Sequence, residues 1–174
     1  MSGSSLFVLG GARSGKSRYA QARAEAAGGH PVFVATAEAF DDEMRARIAH
    51  HQADRDARWR TVEAPRDLPA ALDALNGDDA LVLVDCLTLW VSNLLLANAD
   101  IPRASRQLCD AISRFDGTLI LVANEVGLGI VPDNALARAF RDAAGLLNQS
   151  VAATAREVVL LTAGLPLTLK PRRG

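Results

Sequence analysis

Gly10, Gly15, Lys16 and Ser17 stand at the four fixed places of a Gly-x-x-x-x-Gly-Lys-Ser stretch, "GGARSGKS", which directly follows the apolar run "LFVL". Glycines at those places let the backbone curl until its N–H groups point inward at phosphate oxygens, and the N-terminus of a following helix adds a favourable dipole. A lysine then neutralises charge at the β- and γ-phosphates, and the hydroxyl of Ser17 can ligate Mg²⁺. Magnesium sites of this kind use a further carboxylate at the end of a neighbouring buried strand, and "LVLVD" supplies Asp85. A ligand-free glycine turn would join strand to helix equally well, but it accounts for neither Lys16 nor Asp85.

A second stretch, "DDEMRARIAHHQADRDARW" at 41–59, opens on two aspartates and contains no Gly or Pro, so the expectation is a helix reaching Trp59. At one hundred degrees per residue, Met44, Arg47, Ile48, His51, Arg55 and Arg58 share a face, whereas His50 points well away from it. Neutral imidazole can attack phosphorus, and flanking guanidinium groups would stabilise the charge that develops on the transferring group. By residue type alone, a solvated helix with Glu43–Arg47 and Asp54–Arg58 pairs fits slightly better. Metal binding by His50 and His51 is disfavoured, because adjacent side chains diverge on a helix.

The elements that must position these groups are legible as apolar runs: 6–9, 32–35, 81–84, 119–123 and 158–161. Continuous rather than alternating apolar character suits strands buried on both faces, as in a parallel sheet covered by helices. Helices are expected from about Lys16 to Ala27, stopped by Gly28 and Gly29, and from about Ala135 to Ala155, with Leu136, Phe140, Leu147 and Val151 turned to the sheet. The class is therefore α/β, and 174 residues without a linker-like segment read as one domain over 1–174. "NEVGLGIVP" follows a strand, which puts Asn124 and Glu125 at a carboxyl end where open α/β sheets bind ligands; Glu125 is balanced between a role at Mg²⁺ or substrate and a structural connection. Trp59 and Trp90 could stack on a base, but large aromatics more often pack, and Trp90 above all reads as a packing residue; Arg138 and Arg141 could reach phosphates, yet Asp133 and Asp142 offer ordinary surface pairing.

A net charge of −1 argues against a general nucleic-acid binder, and Cys86 and Cys109 lack the spacing of a zinc site or a disulfide framework. No basic leader or membrane-length apolar run is visible, so the expectation is a soluble cytoplasmic protein with a small-molecule partner and no stable membrane insertion.

Taken together, "GGARSGKS", "ATAEAFDDEMRARIAHHQADR", "WRTVE", "LVDCLTLWVSNLL" and "NEVGLGIVPDNALARAFRDAAGLLNQ" resemble the bifunctional adenosylcobinamide kinase / adenosylcobinamide-phosphate guanylyltransferase family of cobalamin biosynthesis, over almost the whole chain. The resemblance implies a P-loop NTPase fold of the RecA-like kind, mostly parallel, and a homotrimer. It implies phosphorylation of adenosylcobinamide by ATP or GTP, then GMP transfer from GTP to adenosylcobinamide phosphate through a guanylylated histidine, which falls on His51; Lys16 is the other catalytic residue. It places nucleotide contacts at Gly10, Gly11, Ala12, Arg13, Ser14, Gly15, Lys16 and Ser17, at Ala35, Thr36 and Ala37, at Gln52, Ala53, Asp54 and Arg55, and at Glu63 and Asp85, with Mg²⁺ at Ser17 and Asp85. Relatives often carry serine where this chain has Ala37, so one hydroxyl contact is absent or replaced here, leaving the backbone to bind. A P-loop small-molecule kinase without the transferase, or a GTP-binding regulatory module, are the alternatives.

Overall fold

A computed structural model describes residues 3–38 and 57–172 of the chain. The five apolar runs all become strands: β1 (Ser4–Gly10), β2 (Val32–Ala35), β4 (Leu81–Asp85), β5 (Thr118–Asn124) and β6 (Glu157–Thr162). Two further strands, β3 (Arg60–Glu63) and β7 (Leu165–Lys170), complete one sheet in the order β3-β2-β4-β5-β1-β6-β7. All pairs are parallel except β6 with β7. Parallel strands need long crossovers, and helices supply them.

Among the described residues these helices are α1 (Lys16–Ala27), α2 (Leu68–Leu75), α3 (Leu87–Leu96), α4 (Ile101–Ser113) and α5 (Ala135–Thr154). Alternation along the strands splits the core in two. Leu6, Val8, Leu81, Leu83, Ile120 and Val122 meet Ala20 and Ala24 of α1 on one face. Phe7, Leu9, Val82, Val84, Leu119 and Leu121 meet α2, α3, α4 and α5 on the other. The small alanines let α1 lie close to the sheet, which holds its N-terminus at the end of β1.

Three sequence expectations need correction. Leu136 is exposed, whereas Leu147, Val151 and, in part, Phe140 turn inward as expected, so the buried stripe of α5 starts later than its first turn. The helix expected over 41–59 does not reach Trp59: residues 57 and 58 form a turn, and Trp59 leads into β3, its ring meeting Phe33 edge-on at 6.4 Å. The rest of that stretch, with His51, lies outside the described residues. The carboxylate strand β4 is also not the immediate neighbour of β1, since β5 lies between them.

The amphipathic lysine of β7 closes the far end of the fold. Lys170 Nζ donates to the carbonyls of Ala152 at 3.1 Å, Ala153 at 2.8 Å and Ala155 at 2.5 Å, placing a cation on the carbonyl end of α5. Charge-assisted bonds to orphan helix carbonyls contribute about 1.5–2.5 kcal/mol. Lys170→Met is therefore expected to lower Tm by roughly 4–8 °C, read by calorimetry, with no change in nucleotide affinity.

Candidate active site

The glycine loop is built as its sequence requires. Gly10 ends β1, and a Cβ there would lie 2.3 Å from Ser14 Oγ and 2.9 Å from the Leu161 carbonyl, so only glycine fits. Gly15 has φ 93 and ψ 6, left-handed backbone that favours glycine, and it turns the chain into α1. Ser14 N–H donates to the Gly11 carbonyl at 3.3 Å and Gly164 N–H to the Ser14 carbonyl at 2.9 Å, which pins the loop against the β6–β7 turn. The first α1 bond runs from Tyr19 N–H to the Gly15 carbonyl, so the N–H groups of Lys16, Ser17 and Arg18 have no partner within the helix. Lys16 Nζ folds back over the loop to the Gly11 carbonyl at 3.2 Å. A cation, several free N–H groups and a helix N-terminus therefore converge on one small space, a polarity suited to phosphate.

α1 is fastened to the sheet by Arg23, whose guanidinium donates to both carboxylate oxygens of Glu157, at 3.0 and 2.9 Å, and to the Tyr19 hydroxyl at 2.8 Å. The Glu157 bond is the main cause holding the Arg23 pKa above its ordinary value, with burial opposing it.

Asp85 reaches the same region by register. It pairs with Val122 of β5 and Ala35 of β2, and Ala35 pairs in turn with Glu63 of β3. Asp85 continues the Leu81–Leu83 alternation, which turns its side chain to the α1 face. Two strand spacings separate β4 from β1, roughly 10 Å, a gap that a hydrated ion and phosphate oxygens can span. Ser17 and Asp85 present hard oxygen donors of the type Mg²⁺ prefers. Burial, and then the charge of Asp85, pushes the neighbouring Cys86 thiol up to about 11, so it stays neutral beside that carboxylate.

Thr36, expected beside the nucleotide, has its hydroxyl engaged within the fold. It is fully buried, and its hydroxyl donates to the Cys86 carbonyl at 2.7 Å while accepting from the Cys86 N–H at 2.9 Å. The side chain has no proton left for a nucleotide; it locks the end of β2 to the end of β4. Asn93 reinforces this lock, donating from Nδ2 to the Thr36 carbonyl at 2.8 Å and the Pro65 carbonyl at 2.9 Å. Asn93→Ala leaves two buried carbonyls short of a donor and is expected to destabilise the fold by about 2–4 kcal/mol, measured by denaturant unfolding. Nothing in residue type or spacing marked Asn93, since both its partners are remote in sequence.

Trp90 is fully buried with its Nε1–H donating to the Arg66 carbonyl at 2.8 Å, a packing residue as expected. Arg138 donates to the carbonyls of Pro132 and Asp133, and Arg141 pairs with Asp142 at 3.4 Å. Gly10–Ser17, Ala35, Glu63 and Asp85 thus lie along the carboxyl ends of the parallel strands. His51, Gln52, Ala53, Asp54 and Arg55 lie outside the described residues, so the structure does not test their placement.

A buried parallel strand, a glycine loop and a helix opening on Lys-Ser, with an acidic residue two strands away, define a P-loop NTPase fold. Solved structures agree at the level of fold alone. A Pyrococcus horikoshii protein, PH0250, superposes with TM-score 0.58 at 9% identity, covering 99% of this chain and 88% of that one. The flagellar accessory protein FlaH of Methanocaldococcus jannaschii gives 0.51 at 13%, covering 97% and 79%. The P4 protein of bacteriophage phi6, solved with ADP, gives 0.51 at 16%, covering 94% of this chain and about half, 52%, of its own.

The chain belongs to the cobinamide kinase / cobinamide phosphate guanyltransferase family, whose model matches residues 6–169. It is 46% identical to the bifunctional adenosylcobalamin biosynthesis protein CobP of Pseudomonas aeruginosa, over 94% of this chain and 96% of that one. It is 42% identical to the bifunctional CobU protein of Salmonella typhimurium, over 95% and 99%.

Proposed function

We propose that this protein phosphorylates the hydroxyl of adenosylcobinamide with ATP or GTP and then transfers GMP from GTP to adenosylcobinamide phosphate, giving adenosyl-GDP-cobinamide. The observation that carries the reading is the convergence of Lys16, the free N–H groups of the first turn of α1 and Asp85 on one face of the sheet, in a chain of this family.

The loop Gly10–Ser17 holds the triphosphate, with Lys16 compensating charge as the γ-phosphoryl group leaves. Ser17 and Asp85 present the oxygen donors that would hold Mg²⁺, and the ion would screen the phosphate charges. Ala35, Ala37 and Glu63 flank the nucleotide from the neighbouring strand ends, and residues 52–55 extend the contact. His51 carries GMP as a covalent phosphoramidate between GTP and the corrinoid phosphate, so each half-transfer exchanges one P–O or P–N bond for another. The alternation of apolar Leu165, Leu167 and Leu169 on exposed β7 supports burial of that edge in a homotrimer. Among the described residues no helix is long and apolar enough to cross a membrane. Work on nucleotides and corrinoids is assigned to the cytoplasm.

The test is to supply purified protein with adenosylcobinamide and ATP labelled at the γ-phosphate, then to add GTP labelled at the α-phosphate. Label appearing first in a corrinoid monophosphate and then in a GDP-linked corrinoid is the expected result. Phosphorylation without the second product would leave a kinase alone, and nucleotide binding without either product would leave a regulatory module.

A further inference from the structure

Two features at the carboxyl end of β5 are used by none of the residues assigned above. The first is Asn124. Its backbone is held on both sides: its N–H donates to Thr88 Oγ1 at 2.7 Å and its carbonyl accepts from Asn148 Nδ2 at 3.2 Å. Its side-chain Oδ1, in contrast, is buried with no hydrogen-bond partner. Buried acceptors are satisfied almost everywhere in proteins, so one left open on a rigidly held residue needs a donor from outside the fold, and a ligand hydroxyl is such a donor. Alternation along β5 turns this side chain to the face of Ile120 and Val122, under α1. In the ladder Asn124 pairs with Gly10, the first residue of the phosphate loop. It therefore stands between the loop on β1 and Asp85 on β4.

The second feature is the segment that follows. Glu125 N–H donates to the Gly10 carbonyl at 3.0 Å, and Glu125 Oε1 accepts from Gly127 N–H at 2.7 Å, so the start of the segment is tied to the phosphate loop. Beyond it Leu128, Ile130 and Val131 are 88%, 97% and 60% exposed. Three large apolar side chains in four residues, presented to water beside a phosphate site, form a patch that calls for an apolar occupant.

We propose that Asn124 and the 127–131 segment form the subsite for the phosphoryl acceptor. Asn124 Oδ1 accepts a hydrogen bond from the attacking hydroxyl, and Leu128, Ile130 and Val131 hold the methyl-edged macrocycle that bears it on a short arm. The inference rests on the kinase reading above. Adjacent strands are about 4.8 Å apart, so a hydroxyl directed at a phosphate in the loop meets Asn124 once that side chain, whose Oδ1 is closed to solvent here, rotates toward β1. In the step it serves, the hydroxyl oxygen forms the new bond to the γ-phosphorus, the bond from that phosphorus to the bridging oxygen breaks, ADP leaves, and the hydroxyl proton passes to water. Asn124 takes no proton; it turns the oxygen lone pair toward phosphorus and is a positioning residue.

The test uses the full-length protein with ATP and adenosylcobinamide. Kinase kcat, KM for each substrate, ATP affinity and subunit mass are measured in the wild type, Asn124→Ala, Leu128→Ser, Ile130→Ser and, as a control, Leu96→Ser at the opposite end of the sheet. Asn124→Ala is expected to lower kcat about 30-fold while ATP affinity and Tm stay near wild type; a purely structural role would move Tm and ATP affinity instead. Leu128→Ser and Ile130→Ser are each expected to raise KM for adenosylcobinamide about tenfold, with KM for ATP and subunit mass unchanged. Unchanged acceptor kinetics in all three variants would overturn the proposal, and so would a changed subunit mass in the segment variants, which would make it a contact between copies. An inactive wild type would instead overturn the kinase reading itself.

Discussion

Lys16→Ala is expected to lower kcat for phosphoryl transfer about a thousandfold, the loss of roughly 4 kcal/mol seen when one preorganised charge partner is removed from a developing transition state. The ammonium already lies across the loop, donating to the Gly11 carbonyl at 3.2 Å, so a bound triphosphate would replace a single carbonyl partner with phosphate oxygens. The group needs little reorganisation to act. Lys16 is half-buried and its one hydrogen bond contributes about 1 kcal/mol, so Tm should move by no more than about 4 °C. Activity and stability are thus expected to separate, and both are measured on the same preparation. Lys16→Arg should not restore turnover, because a planar fork does not fill the place of a compact point charge. Full activity in Lys16→Ala would mean that the loop does not hold the transferring phosphate.

The second large effect concerns His51. His51→Ala is expected to abolish covalent labelling by GTP carrying label at the α-phosphate and to slow GMP transfer at least roughly ten-thousandfold, the scale of losing a group that forms the covalent intermediate. Kinase activity should survive, since that reaction passes the γ-phosphoryl group directly from nucleotide to hydroxyl. His50→Ala should keep its label, because in the helix that the sequence leads one to expect its side chain diverges by one hundred degrees from that of His51. The label should also be acid-labile, as a phosphoramidate is and a phosphate ester of serine is not. Persistent label in His51→Ala would move the nucleophile elsewhere, and equal loss in both variants would show that the labelling does not distinguish the two histidines.

The local chemistry of this protein is contained in its sequence. A strand buried on both faces must be a continuous apolar run, and the five such runs all became strands within two residues of their expected ends. The glycine loop is equally local, since Gly10, Gly15, Lys16 and Ser17 lie within eight residues and their conformations follow from their own types. The two missed strands lie at the sheet edges. Arg60–Glu63 is short and mostly exposed, and Leu165–Lys170 contains Pro166, so neither carries the signature of burial.

What the tertiary structure alone decided is which ends meet. The insertion of β5 between β1 and β4 parts Asp85 from the loop and puts Asn124 beside Gly10, the β1–β5 pairing joining residues more than a hundred positions apart. The same long-range closure takes the Thr36 hydroxyl out of play by giving it to Cys86, fifty residues away. Strand order and hydrogen-bond satisfaction are set by the whole packed core, in which each buried polar group must find whatever partner the closed sheet brings within reach. Residue type and spacing therefore settled what chemistry this chain can do, and the assembly of the sheet settled which side chains remain free to do it.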